Sequence, residues 1–352
     1  MHIEESVSSA PLAAEPAENS AAASVGHFYR VSDYYDVGRE KVREYARAVQ
    51  DYHPVHWDEG VAAEYGYAGL LAPLTFISLV GILAQSKMNA QILAGYEMIV
   101  QADQVLEFHR PILVGDRLVC DVSLDSFRSA PGADLLVTKN VVSSSDELVM
   151  VTYTTIAAQR GGANASLLDA VRDVSMHGLS GDDPTRLPPP HRPLGGMSTA
   201  APVPGPPRPR STRTRSFDSV AVGDRLPPRT VGLSRGDLVN YAGVSGDANP
   251  IHFSPEVAQQ AGLDTVIAHG MLTMGLGAGY LTSWLGDPGS VLDYNVRFSS
   301  MVYVPESAGA EIEFSGRIKS VDEAARTAVL ALTGTCAGKR IFGRATATVQ
   351  LG

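Results

Sequence analysis

Along this chain the spacing of apolar positions switches twice from helical to alternating. In residues 311–318, Ile312, Phe314 and Ile318 lie on one side, against Glu311, Glu313, Ser315 and Arg317 on the other. In 341–351, Ile341, Gly343, Ala345, Ala347, Val349 and Leu351 alternate with Phe342, Arg344, Thr346, Thr348 and Gln350. Leu118, Cys120, Val122 and Leu124 alternate in the same way with Val119, Asp121, Ser123 and Asp125. Period-two alternation predicts antiparallel strands with one buried face. Helical signals precede these runs. Ser234, with Asp237 three places on, is a helix cap ahead of the apolar Leu238 and Tyr241. Pro250 stops any helical continuation. Ser254-Pro255-Glu256 opens a short helix that Gly262 closes, and a long apolar helix starts near Gly270. Helices followed by a run of strands predict an α+β unit, a curved sheet wrapped on one buried helix.

This unit occurs twice. Tyr45-Ala46-Arg47-Ala48-Val49-Gln50-Asp51-Tyr52-His53-Pro54-Val55-His56 aligns without a gap on Tyr241-Ala242-Gly243-Val244-Ser245-Gly246-Asp247-Ala248-Asn249-Pro250-Ile251-His252. The match continues through Val61-Ala62 on Val257-Ala258, Gly66 on Gly262 and Ala72 on Ala268. Such a repeat implies duplicated domains of one fold. Residues 65–86 and 265–286 each run 22 positions without Asp, Glu, Lys or Arg. That length would cross a bilayer. Pro73, Thr75, Ser78 and Gln85 in the first, and His269, several glycines, Thr282 and Ser283 in the second, favour helices buried in a core over membrane spans.

Between the repeats, residues 184–209 hold ten of the 22 prolines. Proline at that density lacks the amides helices and sheets need, so 161–211 is expected to be a semi-extended linker. Its Arg186, Arg192, Arg208 and Arg210 offer charge to an acidic partner, although most such linkers only connect. Residues 1–26, rich in Ala, Ser and Glu without a basic start, read as a disordered tail rather than a signal peptide. The expected domains are therefore 27–160 and 212–352. A net charge of −10 makes a poor general nucleic-acid binder. Two cysteines, Cys120 and Cys336, exclude a disulfide framework or a four-cysteine zinc site and suit a reducing, cytoplasmic compartment.

The chemistry concentrates in 241–252. Asp247 and His252 stand five apart with Pro250 between them, so a loop rather than a helix face must bring them together. Gly246 permits an unusual backbone angle there, and Asn249 can hydrogen-bond the loop internally. A carboxylate beside an imidazole exchanges protons near neutral pH, but a capped turn with a surface histidine would read the same. The second element, His269-Gly270-Met271, opens the apolar helix. First-turn amides lack intrahelical partners and can hold an oxygen that gains negative charge, with glycine admitting a ligand closely. Equally, Gly270 could ease helix packing and His269 could be a core histidine.

Taken together, 241–258 resembles the (R)-specific enoyl hydratase signature of MaoC-like proteins, Gly-Asp-x-Asn-Pro-x-His. Residues 212–352 are similar to the HadB subunit of the actinobacterial (3R)-hydroxyacyl-ACP dehydratase, notably at 237–247, 268–275 and 286–289. Residues 27–160 resemble its partner HadA at 37–46, 69–76 and 137–140, so the chain looks like a fusion of both. The resemblance implies a double hotdog fold, two antiparallel sheets each wrapped on a central helix and paired within one chain; a dimer of such chains is also compatible. It implies dehydration of a 3-hydroxyacyl thioester on acyl carrier protein, with no cofactor and no metal. His252 would abstract the α-proton, Asp247 would help protonate the departing hydroxyl, and the Gly270 and Met271 amides would hold the thioester oxygen. Asn249 and His269 would support them. In the first repeat Asp51, Pro54 and His56 are kept, while Gly246 becomes Gln50, Asn249 becomes His53 and His269-Gly270 becomes Pro73-Leu74. HadA-like partners accommodate the acyl chain without catalysing, which is the expectation for this half; the retained Asp51 and His56 leave a second active site open. Alternatives are an (R)-specific enoyl-CoA hydratase, a non-enzymatic acyl-thioester-binding protein and, more weakly, a thioesterase.

Overall fold

The computed structural model of the protein describes residues 20–31, 34–93, 95–160, 165–176, 191–193, 203–205 and 211–352. The expected caps set the helices. Ser234 and Asp237 each accept the other's backbone N–H, at 3.2 and 2.7 Å, and the helix runs Arg235–Ser245 before Gly246 turns left-handed at φ 80°. Ser254 caps the short helix Pro255–Gln260, and Gly262, at φ 81°, follows it.

Four helices and ten strands position the rest: α1 (Arg39–Ala48), α2 (Ile77–Ile92), α3 (Arg235–Ser245) and α4 (Gly270–Leu285). The strands of the first unit are β1 (Phe28–Val31), β2 (Tyr96–Phe108), β3 (Arg117–Arg128), β4 (Asp134–Ser144) and β5 (Glu147–Arg160). Those of the second are β6 (Arg225–Leu233), β7 (Val291–Phe298), β8 (Ala310–Asp322), β9 (Thr327–Cys336) and β10 (Phe342–Gln350). Both units are antiparallel and share one strand order, β1-β3-β4-β5-β2 and β6-β8-β9-β10-β7. They join edge to edge through β2 and β7 into one continuous sheet. At the centre of that seam Val105 pairs with Asn295, flanked by Asp103 opposite Arg297 and Glu107 opposite Asp293. Aligning Asp103 with Asp293 and Phe108 with Phe298 makes Val105 and Asn295 equivalent, so an approximate two-fold axis passes between them. The architecture is an α+β double hotdog, with the two units paired inside one chain.

Each sheet curls over its own long helix. Ile312, Phe314 and Ile318 are all 1% exposed or less, which is the face that the alternation marks as inward. α4 is buried nearly all round because glycine lets neighbours close in from two sides. A Cβ on Gly277 would meet the Tyr294 hydroxyl at 2.7 Å, and one on Gly275 would meet Val49 of the other unit at 2.7 Å. α1 and α3 pack on each other across the axis, with the Tyr45 and Tyr241 rings 6.1 Å apart. No helix among the described residues is long and apolar enough to cross a membrane.

Three local expectations change. Phe342, placed on the outward face by strict alternation, is buried, because a bulge opposite Arg297 and Phe298 shifts the phase and leaves Gly343 exposed. Residues 20–26 of the expected tail are described: Ser20–Ala23 form a helical turn that buries Ala21, while 1–19 lie outside the described residues. The stretch expected to be semi-extended contains the helix Ala165–Val174, which precedes the prolines and packs on Pro255–Gln260. Further on, His191–Pro193 pairs with β1 and Val203–Pro204 with β5, because non-proline amides between prolines still suffice at a sheet edge. Arg186, Arg208 and Arg210 lie outside the described residues.

Candidate active site

α3 ends at Gly246, and the chain reverses through 247–249 before a single 3₁₀ turn, Pro250–His252. Asn249 caps that turn, its Oδ1 accepting the Ile251 N–H at 3.3 Å. The Asn249 N–H in turn donates to Asp247 Oδ1 at 3.4 Å. These bonds fold the acid back over the histidine. Donor atoms of Asp247, His252 and His269 lie within 4.8 Å of one another, with Asp247 partly exposed and both histidines buried.

His252 is oriented by the backbone. Its Nδ1 lies 2.8 Å from the Ile267 carbonyl oxygen, which can only accept, so Nδ1 carries the proton and Nε2 keeps its lone pair. Burial lowers the His252 pKa, and the charge of Asp247 and the Ile267 bond offset part of that effect. The ring stacks on His269 at 3.7 Å between centroids. His269 donates from Nε2 to the Asp247 carbonyl at 3.3 Å, and burial, reinforced by His252, pushes its pKa down to about 2. It is a neutral spacer that ties the Asp247 loop to the start of α4. Three such groups could also surround a transition-metal ion. The two rings lie only 27° from parallel, however, so their in-plane lone pairs do not converge on one point.

His269 is the N-cap of α4, so the amides of Gly270 and Met271 open the helix beside this cluster. They are among the first-turn N–H groups that have no intrahelical acceptor. Gly270 was expected to admit a ligand. Beside it stands a residue of each unit: a Cβ there would lie 3.1 Å from Gln101 Oε1 of the first unit and 3.3 Å from the Phe298 ring of its own. Gln101 sits on β2 of the first unit and donates from Nε2 to Gln104 Oε1 at 2.8 Å and to Met271 Sδ at 3.5 Å. Sequence reading did not single out Gln101. Its one signal is that the seam alignment sets it against Val291, a polar residue where the repeat has an apolar one.

The first unit repeats the loop and closes it. His56 Nδ1 bonds the Leu71 carbonyl at 2.6 Å, as His252 bonds Ile267, and its Nε2 lies 3.3 Å from Asp51 Oδ2. Asp51 is 3% exposed and His56 fully buried, where Asp247 is partly open. Burial pushes the Asp51 carboxyl up, but the charge of His56 and hydrogen bonds from His56 and His53 outweigh it and hold the group below its usual range. Gly279 of α4 seals this pair, a Cβ there lying 3.4 Å from Asp51 Cγ. Its counterpart on α2, Leu83, is 53% exposed. Pro73 and Leu74 fill the place of His269 and Gly270, and α2 starts only at Ile77. A small apolar cavity lined by Leu71, Leu74, Phe108, Ile112 and Val291 marks the spot.

Two wrapped-helix units paired through one sheet make a double hotdog, and in the second unit an acid and two imidazoles gather at the head of the central helix. Residues 216–334 match the MaoC-like domain, and residues 23–152 match the dehydratase domain region of the FAS1-like type. A solved MaoC-like dehydratase is 45% identical to this chain, covers 94% of it and all of its own length, and superposes with a TM-score of 0.83. The chain belongs to the MaoC-like dehydratase family. The UPF0336 protein ML1910 of Mycobacterium leprae is 52% identical over 140 residues, 39% of this chain and 88% of its own. Rv0216 of Mycobacterium tuberculosis, described as a double hotdog fold, has 17% identity with a TM-score of 0.59 over 93% of this chain and 97% of its own, a likeness of fold alone.

Proposed function

We propose that the protein is a (3R)-hydroxyacyl-ACP dehydratase of type II fatty-acid elongation, with one active site at Asp247 and His252. The observation that carries this reading is the His252 ring, held by Ile267 so that Nε2 is a free base beside Asp247 at the amides of Gly270 and Met271. Dehydration breaks the Cα–H bond and the Cβ–O bond. His252 Nε2 takes the α-proton, the electron pair passes through the enolate, and its oxygen is stabilised by the two amides. Asp247 holds a water that relays this same proton from His252 to the departing hydroxyl, and the Cβ–O bond breaks to give water and the trans-2-enoyl thioester. Loss of that proton returns His252 to its neutral form for the next substrate. Asn249 and His269 hold the loop in place, and the first unit contributes binding surface rather than a second centre. The same atoms run backwards as hydration of an enoyl-CoA, so the carrier distinguishes the two physiological readings.

The test is a dehydration assay with 3-hydroxyacyl-ACPs of graded chain length, and with the matching CoA esters, on wild type and Asp247→Asn. Turnover of ACP esters that Asp247→Asn abolishes is the expected result. Ligand binding without turnover would make the protein an acyl-thioester binder instead, and thiol release would make it a thioesterase.

A further inference from the structure

Gln101 lies just past the end of the seam pairing, where β2 bulges against β5 between Gln101 and Asp103. Bulges re-aim side chains, and this one turns Gln101 across to the second unit. Its carboxamide is braced. Gln104, 4% exposed, accepts at Oε1 both from Gln101 Nε2 at 2.8 Å and from Thr154 Oγ1 at 2.8 Å. With Met271 Sδ as a further acceptor for Gln101 Nε2, both amide hydrogens are committed. Oε1 is left facing Gly270, with no hydrogen-bond partner among the described residues. Across the two-fold axis the same positions are Val291 for Gln101, Tyr294 for Gln104 and Leu74 for Gly270; Val291 and Leu74 line an apolar cavity there. An oriented acceptor stands only beside the helix start that is open.

We infer that Gln101, supplied by the first unit, is a substrate-binding residue of the second unit's site: its Oε1 accepts a hydrogen bond from the amide N–H nearest the sulfur of the thioester's carrier arm. The inference rests on the dehydratase reading above. A thioester whose carbonyl sits on the Gly270 and Met271 amides must run its sulfur side past whatever covers Gly270, and that cover is Gln101. Acyl carrier protein and CoA present the same arm, so the recognised group is the amide two carbons from sulfur, whichever carrier brings it.

Two small esters isolate that group: a 3-hydroxyacyl N-acetylcysteamine thioester, which has the amide, and the S-propyl thioester, which lacks it. Wild type should prefer the first by about fivefold in kcat/KM, the worth of one net hydrogen bond, with the difference in KM. In Gln101→Met, which keeps the side chain's length without the amide, the preference should fall to near one. Gln101→Val, the residue of the closed side, should behave alike. ACP and CoA esters assayed alongside should both lose affinity in the variants, and the one with the lower wild-type KM identifies the carrier. An equal preference in wild type and both variants overturns the inference while leaving the dehydratase reading intact. Absence of turnover of every ester by wild type overturns the dehydratase reading itself.

Discussion

Asp51–His56 and Asp247–His252 stand in the same turn of two copies of one unit, each histidine fixed through Nδ1 to a backbone carbonyl. They differ in what faces them. Asp51 looks onto Gly279 of α4, which has no side chain and lets the helix lie against the carboxylate; the α2 residue at that place, Leu83, is largely solvated. Pro73 and Leu74 remove the open helix start that Gly270 and Met271 provide. On the proposed reading, a retained acid–base pair is not a retained active site. Access and the placing of the helix start separate the two geometries, and both are set by residues outside the motif.

The largest effect should come from breaking the open pair. Asp247→Asn or His252→Ala should lower kcat by about a thousandfold, the usual scale for removing a positioned acid or base. Asp51→Asn should leave kcat within about threefold, since it acts at a separate site. Comparable losses from the two aspartate variants in a steady-state assay would mean that both halves turn over.

Next in size is the stability held in the closed pair. Asp51→Asn removes the carboxylate from a buried acid–imidazole pair and should cost about 3 kcal/mol in urea unfolding, whereas the same change at Asp247, partly exposed, should cost far less. The carboxyl of Asp51 is held below its ordinary value when folded. Its contribution is thus complete above the unfolded carboxylate pKa and lost as pH falls through the lowered folded one. Below about pH 4 the gap between wild type and Asp51→Asn should narrow. A gap that widens in acid would reverse the assignment.

Much of this comparison is legible in the chain, and the unread part has physical causes. The repeat, the Ser234–Asp237 box and the strand alternation depend on neighbours in sequence, so their pattern carries them. Pairing Asp247 with His252 is likewise local, five residues bent by a cap and a proline. Phe342 is misread because one bulge resets a period-two face, and nothing in its own composition announces the bulge. Gln101, Gly279 and Leu83 were out of reach for a different reason: their meaning comes from the partner unit, across a seam whose register only the folded sheet shows.

The pH dependence of turnover tests the open pair more finely. Burial lowers the His252 pKa against the partial opposition of Asp247. A base must be neutral to accept a proton, so the acid limb of kcat/KM should fall below the ordinary imidazole value of about 6.5, and activity should persist at that pH. A limb at or above neutrality would mean that Asp247 dominates over burial.

The smallest effect concerns the hinge in front of each pair. Gly246 and Gln50 occupy the same left-handed corner, at φ 80° and 51°. A side chain there costs about 1 kcal/mol relative to glycine, so Gly246→Ala should lose about that much stability. Gln50 carries the strain but donates from Nε2 to the Gly232 carbonyl of the other unit at 3.0 Å. That bond, worth about 1 kcal/mol net, offsets the corner. Gln50→Gly relieves the strain and gives up the bond together, and should therefore change unfolding free energy by less than about 0.5 kcal/mol. A clear gain in stability would show that the bond contributes nothing; a clear loss would make it a clamp between the units, with the closed half serving to hold the open one in register.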